Sequence, residues 1–491
     1  MGLFVDNGSF GDYMDDSLTK ELLGAVGKGC RDLPENNIYR EIGFDGDKPR
    51  LGWVKPAPFD LIRKSLEKIL PILEGKEVFI FVGMGGSING IKPLLSLWGS
   101  KECHTLDNLD PGAISSLSAR LKDFSKVLVV SISKSGMTKE TQLLSFTLKE
   151  LFSRHLGPAW VKNFLWLSDP SSFDKLNAMG WRETTKAAIQ FDLGSDIGGR
   201  FSSPNTLIFF LPLFLLLEKD FGRLEKTYNL FLSLQDKIRK EACQKAYDCQ
   251  YKPRAYFSPG VNPTLGESFS SWIIQLFQES LGSKNPELPV KTIPNLKGKE
   301  LFFPLQLDLE VADKAGELMA QMYFFQVFIA YYSAFKKINF VSQEYVEKYK
   351  AQMRQLEGEG NKKLEAKKET LDSLVQKIKL RLSDRVPFIE TVLYFDPKPG
   401  EVKNIKASLE KEFKDKQVLV FIGSDWNHQS YQAAFTAKDT FYILLVSDNY
   451  EKAVSSLSDE ITTRNVETLK LIAQATYLTI KDKAVLAAIE R

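Results

Sequence analysis

Apolar residues follow two rhythms along the chain. Between residues 59 and 169, short unbroken apolar runs alternate with stretches in which apolar positions recur every three or four residues. The runs VFIFVG (78–83), ECHTLDN (102–108), KVLVVSIS (126–133) and NFLWLSD (163–169) predict strands, and the stretches 59–73, 88–97, 111–122 and 138–154 predict helices. Strands without polar alternation are buried on both faces, so the pattern predicts an α/β fold whose parallel sheet is covered by helices on both sides.

The rhythm resumes near residue 245. Strands are expected at 254–259 and 299–309, with a helix at 264–281 between them and further helices at 315–336 and 342–357. Residues 360–385 are densely charged but keep Leu371, Leu374, Val375 and Ile378 at helical spacing, which predicts a packed surface helix. The end of the chain returns to α/β, with strands at 418–424 and 440–448 and a helix at 462–475. The expected organisation is a lead-in (1–58), a first unit (59–245) and a second unit (246–491). The second includes helix 360–385 and the C-terminal α/β segment. No internal repeat is visible in the sequence. The most apolar run, LIFFLPLFLLL (207–217), carries Pro212 and is shorter than the roughly 20 residues a membrane span needs, so it reads as a buried helix.

Composition narrows the partners. The 491 residues allow two or three domains with a large core. Lys and Arg (65) nearly balance Asp and Glu (62), which leaves no charge excess for a nucleic acid or a membrane surface. Cys30, Cys103, Cys243 and Cys249 lack metal-ligand spacing, and a chain of this size needs no disulfides. The first residues, MGLFVDNGSFGDYMDD, are acidic and lack a signal-peptide core. A reduced, cytoplasmic setting is expected.

Three turns carry candidate chemistry. In FVGMGGSING (81–90), Gly83, Gly85 and Gly86 let the backbone turn tightly and approach a ligand, and Ser87 is expected to open a helix whose free N–H groups favour an anion. The same residues also suit a plain strand–helix turn. In VVSISKSGMTKET (129–141), Ser133, Ser135 and Thr138 cluster around Gly136, with Lys134 adding positive charge; ordinary N-capping uses the same side chains. Both turns fall at the carboxyl ends of parallel strands, where such sheets bind ligands. In SDIGGRFSSPNT (195–206), Gly198 and Gly199 permit close approach and Arg200 offers a planar cation to a developing oxyanion.

Together GMGGSING (83–90), SKSGMTKET (133–141) and DIGGRFS (196–202) resemble, in order and spacing, the sugar-isomerase fold of the glucose-6-phosphate isomerase family. DNLDPGAISSL and WLSDPSSFDKL are similar to the isomerase half of bifunctional transaldolase/glucose-6-phosphate isomerase proteins. The resemblance runs from about residue 60 to the end, and no transaldolase half is expected within these residues. It implies two sugar-isomerase-type domains, each a mainly parallel sheet flanked by helices, with helical additions at both ends. It also implies that Ser87, Ser133, Ser135 and Thr138, with Lys134, hold a sugar phosphate. Gly86 and Gly199 would lie against the substrate, and Arg200 would stabilise an enediolate. Ser135 stands where the family has Thr.

The resemblance extends to the proton-transfer groups. One carboxylate over the C1–C2 edge of a sugar can take a proton from one carbon and return it to the other. Glu279 in SSWIIQLFQESLGSK (270–284) resembles the family's catalytic Glu, on one helical stripe with Trp272 and Leu276 and ahead of a capping Gly282. In INFVSQEYVEKYK (338–350), Asn339, Gln343, Val346, Glu347 and Lys350 agree with the family's lysine segment, while its Pro and Asp are absent. Gln343 and Lys350 are expected on one helix face, with Lys350 at the ring oxygen. Of the three histidines, His104 falls in a strand and His155 at a helix end. His428, in GSDWNHQSYQAAF with Gln432 four residues on, resembles the ring-opening segment. The interval 284–300 between Glu279 and Lys350 has no histidine, so that segment is expected to have moved to the C-terminus.

The implied activity is interconversion of glucose 6-phosphate and fructose 6-phosphate through an enediol. It requires no metal or organic cofactor, its partner is a small sugar phosphate, and the protein would be a homodimer. Two alternatives stay open: a non-catalytic sugar-phosphate-binding regulator, and an isomerase of another sugar phosphate such as mannose 6-phosphate.

Overall fold

Five parallel strands form the first sheet: β1 (Val78–Val82), β2 (Cys103–Leu106), β3 (Val127–Ile132), β4 (Phe164–Ser168) and β5 (Thr185–Ala188). Their order is β2-β1-β3-β4-β5, with Ile80 of β1 registered against His104 on one side and Val129 on the other. The four expected strands form, each trimmed at its ends; β5 is a short, mostly half-buried edge strand that the sequence pattern does not mark. From β1 the chain winds first to one side and later to the other, so the turns after β1 and β3 open into the same crevice. The computed structural model describes residues 17–99, 102–262, 265–282, 288–296, 300–309, 311–358, 366–450 and 457–490.

Alternation along the strands divides the core. Phe79, Phe81, Leu128, Val130 and Ile132 face one apolar cluster, and Ile80, Val82, Val127 and Val129 face another. The first cluster contains the helix Leu207–Leu216, buried as expected and with Pro212 inside it. Among the described residues no helix is long and apolar enough to cross a membrane. The helix Phe221–Cys249, absent from the sequence reading, packs lengthwise on the helix Lys314–Lys336. It runs through residue 245, so the expected start of the second unit falls inside a continuous helix.

Apart from a two-stranded antiparallel hairpin of Phe44–Asp45 and Lys48–Pro49, the remaining strands are split between two sheets. β6 (Ala255–Pro259), β7 (Val290–Thr292) and β8 (Phe303–Leu305) form a small parallel sheet in the order β8-β6-β7. Of the strand expected over 299–309 the described residues form only β8, an edge strand that tolerates Pro304 because a proline cannot donate to a ladder; residue 299 lies outside the described residues. The third sheet joins β9 (Lys368–Glu369), β10 (Phe388–Tyr394), β11 (Gln417–Ile422), β12 (Thr440–Ser447) and β13 (Ala484–Ile489) in the order β11-β10-β12-β13-β9, all parallel. β9, β10 and β13, like β7 of the second sheet, are additions to the expected elements. The progression from β10 to β13 repeats that from β1 to β4, so an architectural repeat exists where no sequence repeat does.

Two expected helices are corrected. Within 360–385 the helix covers only Leu371–Arg381; Thr370 caps it by accepting from the Ser373 N–H at 3.2 Å, and β9 precedes it. Its apolar face is as expected, with Leu374, Val375 and Ile378 buried; residues 360–365 lie outside the described residues. The helix expected over 342–357 begins at Val346. Gln432 Oε1 accepts from the Tyr345 and Val346 N–H groups at 3.1 and 3.2 Å and so fixes its start.

Candidate active site

The glycine-rich turn after β1 is a crossing point of three elements. Gly85 has φ +54°, and a Cβ placed there would lie 2.8 Å from the His428 Cβ and 3.0 Å from Gln275 Nε2. A Cβ on Gly86 would lie 2.2 Å from the carbonyl carbon and oxygen of Gly199. The first and third motifs therefore touch through bare backbone. The expected helix start at Ser87 is corrected: Gly85–Ser87 is a single 3₁₀ turn and the helix begins at Lys92, with Pro93 in its first turn. The Ser87 N–H is spent on the Met84 carbonyl at 3.1 Å and the Gly85 N–H on Asp425 Oδ1 at 2.9 Å. What Ser87 offers an anion is thus its half-buried hydroxyl rather than a helix terminus.

The second motif folds as a hydroxyl-lined loop. Ser133 Oγ lies 3.0 Å from Thr138 Oγ1 and accepts from the Thr138 N–H at 3.4 Å, while Ser135, exposed, accepts from the Met137 N–H at 3.2 Å. Gly136 has φ +65° and makes the reversal possible. Lys134 leaves this loop. Its Nζ donates to the carbonyls of Ser195 and Ile197 at 2.8 and 2.7 Å, so it pins the third motif and lines a pocket of about 100 Å³ with Asp45, Arg50, Gly199, Arg200 and Gln343. Burial, then the nearby Arg50 guanidinium, push the Lys134 ammonium down to about 8 against the pull of Asp169, Asp196 and Asp45.

Arg200 and Glu279 form the buried centre. Arg200 Nη1 donates to Glu279 Oε1 at 2.9 Å, Nε to Ser280 Oγ at 2.8 Å and Nη2 to the Phe340 carbonyl at 2.6 Å. Gln343 donates to the same Glu279 Oε1 at 2.5 Å, and Gln275 Nε2 to Oε2 at 3.0 Å. Glu279 is 6% exposed, on the last turn of the helix Gly266–Leu281, whose buried stripe includes Trp272 and Leu276. Gly282 follows, required by close approach rather than by a left-handed conformation: a Cβ there would lie 2.5 Å from the Ala433 Cα.

A second group gathers around His428. Its Nε2 lies 3.0 Å from Glu140 Oε1, in the first turn of the helix Lys139–Leu156 that follows the hydroxyl loop. Burial pushes the Glu140 carboxyl up, but the His428 ring, its hydrogen bond and the nearby Lys350 ammonium outweigh that and hold it below the usual range. Lys350 is half-exposed and 3.1 Å from Glu347 Oε1. Since the helix begins at Val346, Gln343 and Lys350 do not share a helix face: Gln343 reaches Glu279, and Lys350 stands near Glu140. Gln275 Nε2 also donates to the His428 carbonyl at 3.0 Å, which couples the two groups. His104 lies in β2, and His155 bonds Leu151 and stacks on Phe124, both outside the site.

Four residues here were not singled out in the sequence. Glu140 stands inside the quoted SKSGMTKET and could have been marked as a carboxylate in the first helical turn after the hydroxyl loop. Gln275 precedes Glu279 by one turn. Asp425 and Asn89 join the glycine turn to the His428 turn, Asn89 donating to Gln275 Oε1 at 3.0 Å. Among the described residues no three His, Cys, Asp or Glu side chains assemble as metal ligands would.

No family model matches the chain. It is 28% identical over 240 residues to a protein of Thermus thermophilus, the alignment covering 47% of this chain and 56% of that one. It is 29% identical over 243 residues to one of Campylobacter jejuni, covering 46% and 57%. Both relatives are named glucose-6-phosphate isomerase. The chain spans a little over half the length of these curated relatives. Among solved structures, a hypothetical protein from Thermus thermophilus shares the fold at TM-score 0.52 and 20% identity, over 71% of this chain and 95% of that one. A glucose-6-phosphate isomerase from Chlamydia trachomatis aligns at TM-score 0.46 and 16% identity, over 74% and 81%.

Proposed function

We propose that the protein is a sugar-phosphate isomerase interconverting glucose 6-phosphate and fructose 6-phosphate. The observation that carries this reading is the buried Arg200–Glu279 pair, joined by Gln343 and coupled to His428 through Gln275, with Lys134 of the hydroxyl loop lining the same pocket. The hydroxyls of Ser87, Ser133, Ser135 and Thr138 would hold the phosphate. His428, polarised by Glu140 and assisted by Lys350, would protonate the ring oxygen and open the sugar. Glu279 would then move a proton between C2 and C1. Its oxygens are held by three donors, which fixes where that proton can go. Arg200 would face the charge growing on O1 and O2, and its buried position makes that interaction strong. The proton transfer proceeds through side chains alone. A cytoplasmic homodimer is part of the same reading.

The test is turnover of glucose 6-phosphate in a coupled assay, alongside mannose 6-phosphate. Conversion of glucose 6-phosphate to fructose 6-phosphate, preferred over the mannose substrate, is expected. Thermal stabilisation by either sugar phosphate without turnover of any would replace the enzyme with a sensor.

A further inference from the structure

The segment ahead of the first sheet adds a charged wall to the site. Trp53 stacks on Phe201 with ring centroids 4.7 Å apart, and the Gly52 N–H donates to the Asp196 carbonyl at 3.4 Å. Asn339 Nδ2 donates to the Glu41 and Phe44 carbonyls at 3.1 and 2.9 Å. These contacts bring Arg50 against the loop that carries Arg200. Arg50 Nη1 donates to the Ser195 carbonyl at 2.7 Å, and Nη2 lies 3.2 Å from Asp45 Oδ2.

Each cation at the pocket has a carboxylate within 4 Å: Arg50 has Asp45, Lys134 has Asp169 and Arg200 has Glu279. Among the walls themselves stand the three cations and one carboxylate, Asp45, whose side chain is half exposed; Asp169 and Glu279 pair with their cations from outside the lining. Arg200 is engaged by Glu279, and Arg50 opposes both other cations: it pushes down Lys134 and, more weakly, Arg200, for which burial is the main cause. Three cations facing one opening, with two of their three carboxylates set outside its walls, favour entry of an anion. The pocket adjoins Arg200 and Gln343, the two groups that hold Glu279, and the hydroxyls of Ser133, Ser135 and Thr138 are not among its walls. On the isomerase reading it therefore faces the reacting end of a sugar, Lys134 being the one side chain it shares with the hydroxyl loop.

We propose that Arg50 is a substrate-contacting residue that, beside Arg200, holds the negative charge developing at O1 and O2. This rests on the isomerase reading. A guanidinium suits the role because its planar fork can meet both oxygens of an enediolate or of a carboxylate that mimics it.

Three probes test the proposal: glucose 6-phosphate turnover, binding of the six-carbon aldonic acid 6-phosphate, and binding of inorganic phosphate. Arg50→Gln is expected to lower kcat and weaken the acid phosphate by about tenfold or more, leaving inorganic phosphate unchanged, with partial recovery in Arg50→Lys. Asp45→Asn, which leaves Arg50 in place, is expected to tighten the acid phosphate by roughly two- to fivefold. Unchanged affinity for the acid phosphate in either Arg50→Gln or Asp45→Asn, or an equal loss of inorganic phosphate in Arg50→Gln, overturns the proposal. Should the wild type turn over no hexose phosphate, the isomerase reading fails on its own, and the binding arms still decide whether Arg50 holds a carboxylate at this pocket.

Discussion

His428 Nε2 stands 3.0 Å from Glu140 Oε1, although 288 positions separate the two residues. The contact joins the turn after β11 in the third sheet to the helix after β3 in the first. It gives the imidazole a partner that fixes its orientation.

Glu140→Gln should lower turnover of the closed-ring substrate by about 10–100-fold, since the acid would lose its orienting carboxylate. The variant also predicts a stability difference. The Glu140 carboxyl is depressed on folding, so its contribution is present above the ordinary carboxylate range and is lost as pH falls through the folded value. Denaturation midpoints of wild type and variant should therefore differ most near neutrality and converge in acid. A gap that widened on acidification would contradict this.

Lys134 sets an alkaline limit. Burial pushes its ammonium down to about 8, and only the charged form attracts an anion. Affinity for a sugar phosphate should fall as pH rises through about 8, and Lys134→Met should bind more weakly with that limb absent. Isothermal titration across this range reads both effects.

The two glycine motifs differ in tolerance. An added Cβ at Gly86 meets the Gly199 backbone at 2.2 Å, and one at Gly85 meets His428 in a left-handed conformation, whereas at Gly199 nothing lies within 4 Å. Gly85→Ala and Gly86→Ala should each cost roughly 2–4 kcal/mol in stability or displace the site. Gly199→Ala should fold like the wild type. Equal denaturation midpoints for all three would show that the motifs do not pack as described.

The second and third sheets are tied by a fully buried ion pair between Lys291 of β7 and Glu390 of β10, with Trp426 Nε1 donating to Glu390 Oε2 at 3.1 Å. Glu390→Gln should destabilise by about 3–5 kcal/mol by stranding the ammonium, while joint replacement of both partners by apolar residues should cost much less. Chemical denaturation of the single and double variants measures the difference. Trp426 lies two residues before His428, so a loss of activity in the single variant larger than in the double would place this pair among the supports of the His428 turn.

Local pattern made the first sheet legible. Its strands are apolar without interruption and its turns are rich in glycine and hydroxyls, so VFIFVG and KVLVVSIS were readable with their loops. Other features depend on tertiary contacts. The strand at Phe388–Tyr394 contains Glu390, which looks wrong for a core until Lys291 is placed against it. The helix containing Lys350 starts four residues later than periodicity suggests because Gln432, distant in sequence, occupies its first N–H groups. Arg50 lies in a stretch without periodicity, and nothing local connects it to Arg200. Glu279, Lys350 and His428 were named through the resemblance to a family; the coupling through Gln275 and Glu140 emerges only when the three segments are assembled.

The central claim is that one carboxylate, Glu279, carries the proton between C1 and C2. Turnover of glucose 6-phosphate by Glu279→Gln tests it most directly, with binding of the six-carbon aldonic acid 6-phosphate measured on the same preparation. The expected result is a loss of kcat of about 10³-fold or more with the ligand still bound. Wild-type turnover by the variant would remove Glu279 from the chemistry and contradict the account.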